Sequence, residues 1–437
     1  MTLAPSSDRV VRIAVLGCGT VGSALVGILQ DRAEDLAVQS GARLEVGGIA
    51  VQNPTRQRAA HIPAELVTTG AAELVVDPSI DVVVELIGGV EATVALVRSA
   101  LEGGKPVVTA NKALLASPEG VTLRALAKKQ GVDLLYEAAV AGAIPLVRAL
   151  RESLTGERIE RVMGIVNGTT NFILTKMSEQ GADYADALAE AQSLGLAERD
   201  PTADVEGFDA AAKAAILAGV AFGYDVAGDD VMREGISGIR AVDVEFAERF
   251  GYAVKLLAVV ERTGDDAISV RVHPAMVPTS HPLAGVRNAF NAVFIEGQAA
   301  GELMLYGQGA GGLPTASAVV GDLIDVVRNL LAGTTAPSPD RRPARLLPEA
   351  ELYARYYISL QVIDRPGVLA SVASVFGDNN VSIRSMEQED GLDDARLTFV
   401  THLAREGDVR STLAALEQLG SVGRIAGVMR IVEDGGS

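Results

Sequence analysis

The sequence predicts an α/β chain in three parts: a doubly wound parallel sheet, an α+β domain on a mixed sheet, and a small C-terminal β-α-β-β-α-β module. Three observations carry this. A glycine loop closes the apolar strand in Arg12–Gly22 and opens a helix. Short apolar runs then alternate with helical segments as far as Glu137, and a Pro-, Thr- and Arg-rich stretch (332–347) precedes the last module. At 437 residues, 48% hydrophobic and 22% charged, the chain is globular and too long for one core. A net charge of -18 argues against nucleic acid and anionic membranes as partners. There is no run of about 20 apolar residues, and MTLAPSSDRV has no signal-peptide core, so a cytoplasmic protein is expected. Cys18, the single cysteine, excludes an internal disulfide framework. His61, His273, His281 and His402 stand at no metal-ligand spacing.

The first domain is assigned to residues 1–150 and reads as Rossmann-like. Gly17, Gly19 and Gly22, with Thr20 and Val21 between them, form G-x-G-x-x-G in the strand–turn–helix setting that binds a dinucleotide. The first two glycines allow the turn and the close approach to a pyrophosphate; the third allows close packing of helix on strand. One helix is expected over Ser23–Gln39. The second strand, Leu44–Val51, ends without an Asp or Glu at Ala50, Val51 or Gln52, and Arg56 and Arg58 follow. This tilts the cofactor towards NADP without excluding NAD. Further strands are expected at Asp81–Ile87, Pro106–Thr109 and Val132–Glu137, with ligand-holding loops at their carboxyl ends. Lys105 reads as a turn lysine, and Lys112, between Asn111 and an apolar helix start, as a more suggestive one.

Residues 151–313 are assigned to the α+β domain, whose sheet needs its second face covered; pairing of two copies would do this. Its centre is Glu198–Lys213, ERDPTADVEGFDAAAK, where Glu198, Asp200, Asp204, Glu206 and Asp209 crowd a loop running into an Ala-rich helix. Asp209 and Lys213 are four residues apart and share a helix face. That helix is apolar nearly all round, which marks it as buried, and a buried lysine needs a partner. A second glycine-rich helix start, Gly307–Gly312, includes Gly309 and suits close backbone approach by a ligand. The helix after it (314–330) is expected to pack back on and complete the nucleotide domain.

Residues 331–354 read as a linker and 355–437 as a ferredoxin-like module. The module carries DRPGVLA at Asp364–Ala370 and NVSI at Asn380–Ile383, and so resembles the ACT domain. That resemblance implies an amino-acid effector site at Asp364 and Gly367, at an interface between two modules.

The first 330 or so residues resemble homoserine dehydrogenase almost continuously, through GCGTVG, DVVVELIGG, GKPVVTANKALLA, YEAAVAGAIP, NGTTNFIL and LGLAERDPTADVEGFDAAAK. The resemblance implies interconversion of L-homoserine and L-aspartate 4-semialdehyde with NADP or NAD, a step shared by threonine and methionine synthesis. Lys213 is then the catalytic proton donor and acceptor, and Glu198 and Asp209 bind substrate with Asp204 near them. Lys112 lies beside substrate and nicotinamide, and Lys105 contacts the cofactor. Glu137 and the carbonyls of Val140, Gly142 and Ile144 match a monovalent-cation site, usually sodium. One departure is Gln52, where many members have arginine; dual cofactor use is compatible with it.

The ACT tail makes threonine the expected effector, and deletion from about Arg355 is expected to leave an enzyme that ignores it. A homodimer or homotetramer is expected. Aspartate-semialdehyde dehydrogenase is a poor rival because it needs a catalytic cysteine, and 3-phosphoglycerate dehydrogenase because its histidine motif is missing. A non-catalytic nucleotide-sensing regulator would need no ordered set of Lys112, Glu198, Asp209 and Lys213.

Overall fold

The computed structural model describes residues 9–264, 266–390 and 394–433. It divides into two compact units: Met1–Ile159 with Ala212–Val231 and Asn291–Pro343, and Glu160–Ala211 with Met232–Phe290 and Ala344–Ser437.

The first unit holds a six-stranded sheet in the spatial order Val67–Thr68, Arg43–Ala50, Val10–Leu16, Val82–Glu85, Val107–Thr109, Leu134–Leu135. Every pairing in it is parallel. Strand order therefore reverses beside Val10–Leu16, the switch point where open α/β sheets bind ligands. The strands are apolar on both faces because helices cover both. On one face Ile13, Val15 and Val84 pack with Leu25 and Leu29 of helix Thr20–Asp31 and with Val319 and Leu323 of helix Gly312–Ala332. Leu16, Val83 and Val107 meet Val97 and Leu123 on the other. The single helix expected over Ser23–Gln39 is two, Thr20–Asp31 and Ala33–Ser40. The apolar periodicity is interrupted by Asp31-Arg32, and Arg32 leaves helical geometry (φ -119°, ψ 23°). The Pro-rich stretch is held rather than loose: Arg342–Pro343 pairs in parallel with Tyr224–Asp225, and Arg341 donates to the Tyr136 hydroxyl at 2.6 Å.

In the second unit the strand order is Ile159–Ile165, Tyr252–Arg262, Ile268–Pro278, Val422–Ile431, Tyr353–Ile363, Asp394–Thr401, Ile383–Asp390. The last four are the C-terminal module, in the order 4-1-3-2 of a ferredoxin-like sheet. Alternation sorts its first strand: Tyr356, Ile358, Leu360 and Val362 join the module's core with Phe376 and Leu416. On the opposite face Tyr357 lies against Phe246 of helix Ala241–Arg249, ring centroids 4.8 Å apart. The module's last strand is also hydrogen-bonded in parallel to Ile268–Pro278, through Ala275↔Arg430 and Met276↔Ile431.

Candidate active site

The glycine loop has the geometry its sequence calls for. Gly17 has φ +100°, a left-handed conformation, and a Cβ there would sit 2.7 Å from the Leu86 carbonyl oxygen. A Cβ at Gly22 would strike the Gly17 carbonyl oxygen, so the helix can lie this close only on glycine. Around Gly19, the N-cap of helix Thr20–Asp31, nothing beyond the flanking residues lies within 4 Å of a built Cβ. With Thr20 and Val21 opening the helix, this leaves main-chain N–H groups at an open helix start. The segment after the second strand folds back towards the loop. The His61 ring lies 2.9 Å from the Ser23 carbonyl, and Arg58 donates to the carbonyls of Asn53, Pro54 and Arg56. Burial raises the Cys18 thiol's pKa, against the lowering effect of the nearby Arg58 charge.

At the carboxyl ends of the next strands, polar groups interlock. The Glu85 carboxylate accepts from Ile87 and Gly88 N–H and, at 2.6 Å, from the Thr109 hydroxyl. Asn111 caps the short helix Lys112–Leu115 by accepting from Leu114 N–H, and its amide donates to Gly89 O at 2.6 Å. This places Lys112, exposed, at the first position of that helix, just past the carboxyl end of strand Val107–Thr109. Lys105 is buried, and its ammonium donates to the Val75 carbonyl at 2.8 Å and to that of Asp77. Burial lowers its pKa, opposed by Asp77 and Asp81.

Glu137, Val140, Gly142 and Ile144 fall in one tight, buried turn. The Glu137 carboxylate accepts from Val147 N–H (2.8 Å) and Arg148 N–H (2.7 Å), and burial, first among the causes, raises its pKa. Ala141 (φ +60°) and Gly142 (φ +57°) are consecutive left-handed residues, unusual for alanine. A Cβ on Gly142 would strike the Gly309 carbonyl, and Ala143 N–H donates to Gln308 O at 3.1 Å. Gly309 thus joins this turn to the start of helix Gly312–Ala332, whose first residue lies against Thr20 of the glycine loop. Two residues here escaped sequence reasoning. Asp322, fully buried, accepts from Glu137 N–H at 2.8 Å, and burial pushes its pKa up to about 7. The carboxamide of Asn291, buried beside Gly309, makes no hydrogen bond.

In the second unit Asp204 and Asp209 converge on one amide: Asn167 Nδ2 donates to Asp204 Oδ1 at 2.7 Å and to Asp209 Oδ2 at 2.9 Å. The other side of that amide, Oδ1, accepts from Thr170 N–H and caps helix Gly168–Gln180. Asn167 was visible in the sequence only as part of a cluster of small polar residues. Asp209 opens helix Phe208–Phe222, which carries Lys213, 7% exposed, one turn further on. Glu198 is exposed, and Gln192 donates to its carbonyl at 3.1 Å. Asp364 and Gly367 line one pocket in the C-terminal module with Arg365, Pro366 and Gln388. Gly367, at φ +92°, caps helix Val368–Asp378.

Comparison with known proteins matches the same regions. The family model described as "Homoserine dehydrogenase, NAD binding domain" matches residues 17–137, "Homoserine dehydrogenase" matches 145–324, and "ACT domain" matches 356–421. The homoserine dehydrogenase of Corynebacterium glutamicum is 50% identical over 429 residues, 97% of this chain and 96% of its own. That of Mycobacterium tuberculosis is 49% identical over 438 residues, 98% and 99% of the two chains. A crystal structure of a homoserine dehydrogenase from Thiobacillus denitrificans superposes with TM-score 0.92 at 41% identity, covering 97% of this chain and 99% of its own. A hyperthermophilic archaeal homoserine dehydrogenase mutant solved with NADPH superposes at 0.61 and 30% identity, covering 72% and 97%. With a dinucleotide loop, the matching catalytic region and an ACT module in this order, the chain belongs to the homoserine dehydrogenase family of NAD(P)-dependent oxidoreductases.

Proposed function

We propose that Lys213 transfers the proton when aspartate 4-semialdehyde and homoserine are interconverted, and that Asp209, Asp204 and Glu198 hold the substrate. The observation carrying this is the Asn167 amide, which draws Asp204 and Asp209 together at the start of the buried helix bearing Lys213. The nicotinamide, when bound, supplies or accepts hydride at the substrate carbon. A developing alkoxide then needs a proton and a positive neighbour, and an ammonium gives both. Carboxylates at Glu198 and Asp209 suit the substrate's ammonium. Lys112, just past the carboxyl end of strand Val107–Thr109, serves the substrate beside the nicotinamide. Gly17, Gly19, Thr20, Val21, Gly22 and Gly309 would hold the cofactor. Lys105, whose ammonium is bound to the Val75 and Asp77 carbonyls, would contact the cofactor by turning from them. Parallel rates with NADPH and NADH test this reading: activity with neither would overturn it. We expect use of both with NADPH ahead, because Arg58 lies beside the glycine loop without a carboxylate at Ala50–Gln52.

A monovalent cation, sodium by preference, fits the oxygen donors of Glu137, Val140, Gly142 and Ile144, which are hard ligands of low total charge. Two successive left-handed residues supply the irregular backbone that such carbonyl sites use. Among the described residues no cluster of His, Cys, Asp or Glu side chains could hold a metal, so the carbonyls would have to dominate. Exchange of sodium and potassium for a bulky organic cation should lower kcat reversibly, and Glu137→Gln should raise the sodium concentration for half-activation about tenfold. Undiminished activity without alkali cations would remove the site.

Threonine is the effector proposed for the Asp364–Gly367 pocket, and a dimer or tetramer in the cytoplasm is the proposed working form. Deletion from Arg355 is a poor test, since the last strand is hydrogen-bonded to Ile268–Pro278 and its loss would bare a sheet edge. Asp364→Ala is better. It should leave the uninhibited kcat unchanged while threonine inhibition weakens at least about tenfold. If the unmodified enzyme ignores threonine, the pocket serves another ligand.

A further inference from the structure

The edge of Ile268–Pro278 is shared by two strands of different origin. Tyr252–Arg262 pairs along its whole other side, 252 to 278 through 262 to 268. On the remaining edge Met232–Arg233 pairs with Arg271 and Val272, and Arg430–Ile431 with Ala275 and Met276, all in parallel. The short strand Met232–Arg233 and the last strand of the ACT module therefore follow one another along a single partner. At that junction lies Arg430, 8% exposed. Its guanidinium binds the Glu406 carboxylate through Nε at 3.1 Å and Nη2 at 3.0 Å, and Nη2 lies 3.3 Å from Glu349. Nη1 donates to Glu234 Oε2 at 2.9 Å, reaching from the module to the residue just past strand Met232–Arg233. Arg410 pairs with Glu349, and the Tyr356 hydroxyl donates to Glu406, so buried Glu406 and half-buried Glu349 are each held by more than one partner.

Glu234 leads directly to the acidic loop. Ile236 N–H donates to the Val205 carbonyl at 2.8 Å. A Cβ on Gly235 would sit 2.5 Å from that same oxygen and 2.7 Å from the Glu206 Cα, so the two backbones touch. The Arg233 guanidinium lies 3.8 Å from the centre of the Phe208 ring, next to Asp209. Residues 233–236 are thus the floor on which 205–208 rests. One guanidinium of the ACT module anchors that floor.

We propose that Arg430 is a positioning residue: through Glu234 it transmits the seating of the ACT module's last strand to the loop that carries Asp204 and Asp209. This rests on the reading that the loop holds the substrate. It makes the module's final strand, rather than its effector pocket alone, the part that sets substrate affinity. A shift of Arg430 by a fraction of an ångström would alter the support under Val205–Phe208 without touching the cofactor loop.

Glu234→Ala is the main test, because its half-exposed side chain can be lost without leaving a core cavity. The KM for homoserine should rise about five- to tenfold, while kcat and the KM for NADP stay within about twofold of wild type. Glu234→Gln, which still accepts from Arg430, should recover most of the loss. Amide exchange over residues 202–210 should quicken in Glu234→Ala and in Arg430→Met, a readout independent of catalysis. An unchanged homoserine KM, or equal shifts for homoserine and NADP, would overturn the inference. If the wild-type protein does not oxidise homoserine, the substrate reading fails, and amide exchange alone then decides whether Arg430 supports the loop.

Discussion

Lys213→Ala lowers kcat for aspartate-semialdehyde reduction by about two to four orders of magnitude, the range expected for loss of a positioned proton donor. Alanine preserves the helix, so an NADPH affinity that stays unchanged marks the loss as chemical. Lys213 stands among Ala211, Ala212, Ala214 and Ala215 in helix Phe208–Phe222, where alanine is the best helix former. The buried position also explains why no solvent group replaces it: at 7% exposure, water has little access to the ammonium's place. Affinity for NADPH, followed by fluorescence titration, should be unaffected because the glycine loop is untouched. The KM for aspartate semialdehyde should move far less than kcat, since the proton is needed only as the alkoxide forms. Turnover within about tenfold of wild type would be too small a loss for a proton donor and would send the search to other groups, Lys112 first.

Gly19→Val raises the KM for NADPH by at least about tenfold while leaving the thermal midpoint within about 2 °C, a stability change below 1 kcal/mol. The two effects separate because no atom beyond the flanking residues lies within 4 Å of the new Cβ, and the φ of -85° is open to any residue. Only a ligand lying on the loop would meet the added side chain. Gly22→Val is the contrasting case, for its Cβ would strike the Gly17 carbonyl oxygen and must move helix or strand. It should lose both cofactor affinity and stability. If Gly19→Val binds NADPH normally, the dinucleotide does not pass over this loop.

Local patterns made much of the molecule legible beforehand. G-x-G-x-x-G needs only a strand, a turn and a helix in sequence, and alternating apolar runs report a parallel sheet covered on both faces. The acidic loop and Lys213 stood out because a lone cation on an apolar helix is costly wherever the helix is buried. Only one apolar position is lost at Asp31-Arg32 and Leu36 resumes in phase with Leu25 and Leu29, so periodicity alone reads one helix across the break.

Order of elements, the dinucleotide fingerprint, the ACT signature and the suspect lysine therefore belong to the chain's linear pattern, each being a rule over a few neighbouring residues. What needed the folded molecule were relations between distant residues: Asn167 drawing Asp204 and Asp209 together, Asp322 under Glu137, Gly309 against Gly142, and Arg430 reaching Glu234. Each joins positions 37 to 196 residues apart. Periodicity is silent at such separations, because a hydrogen bond or close contact depends on where two backbones have been brought and not on the residues between them.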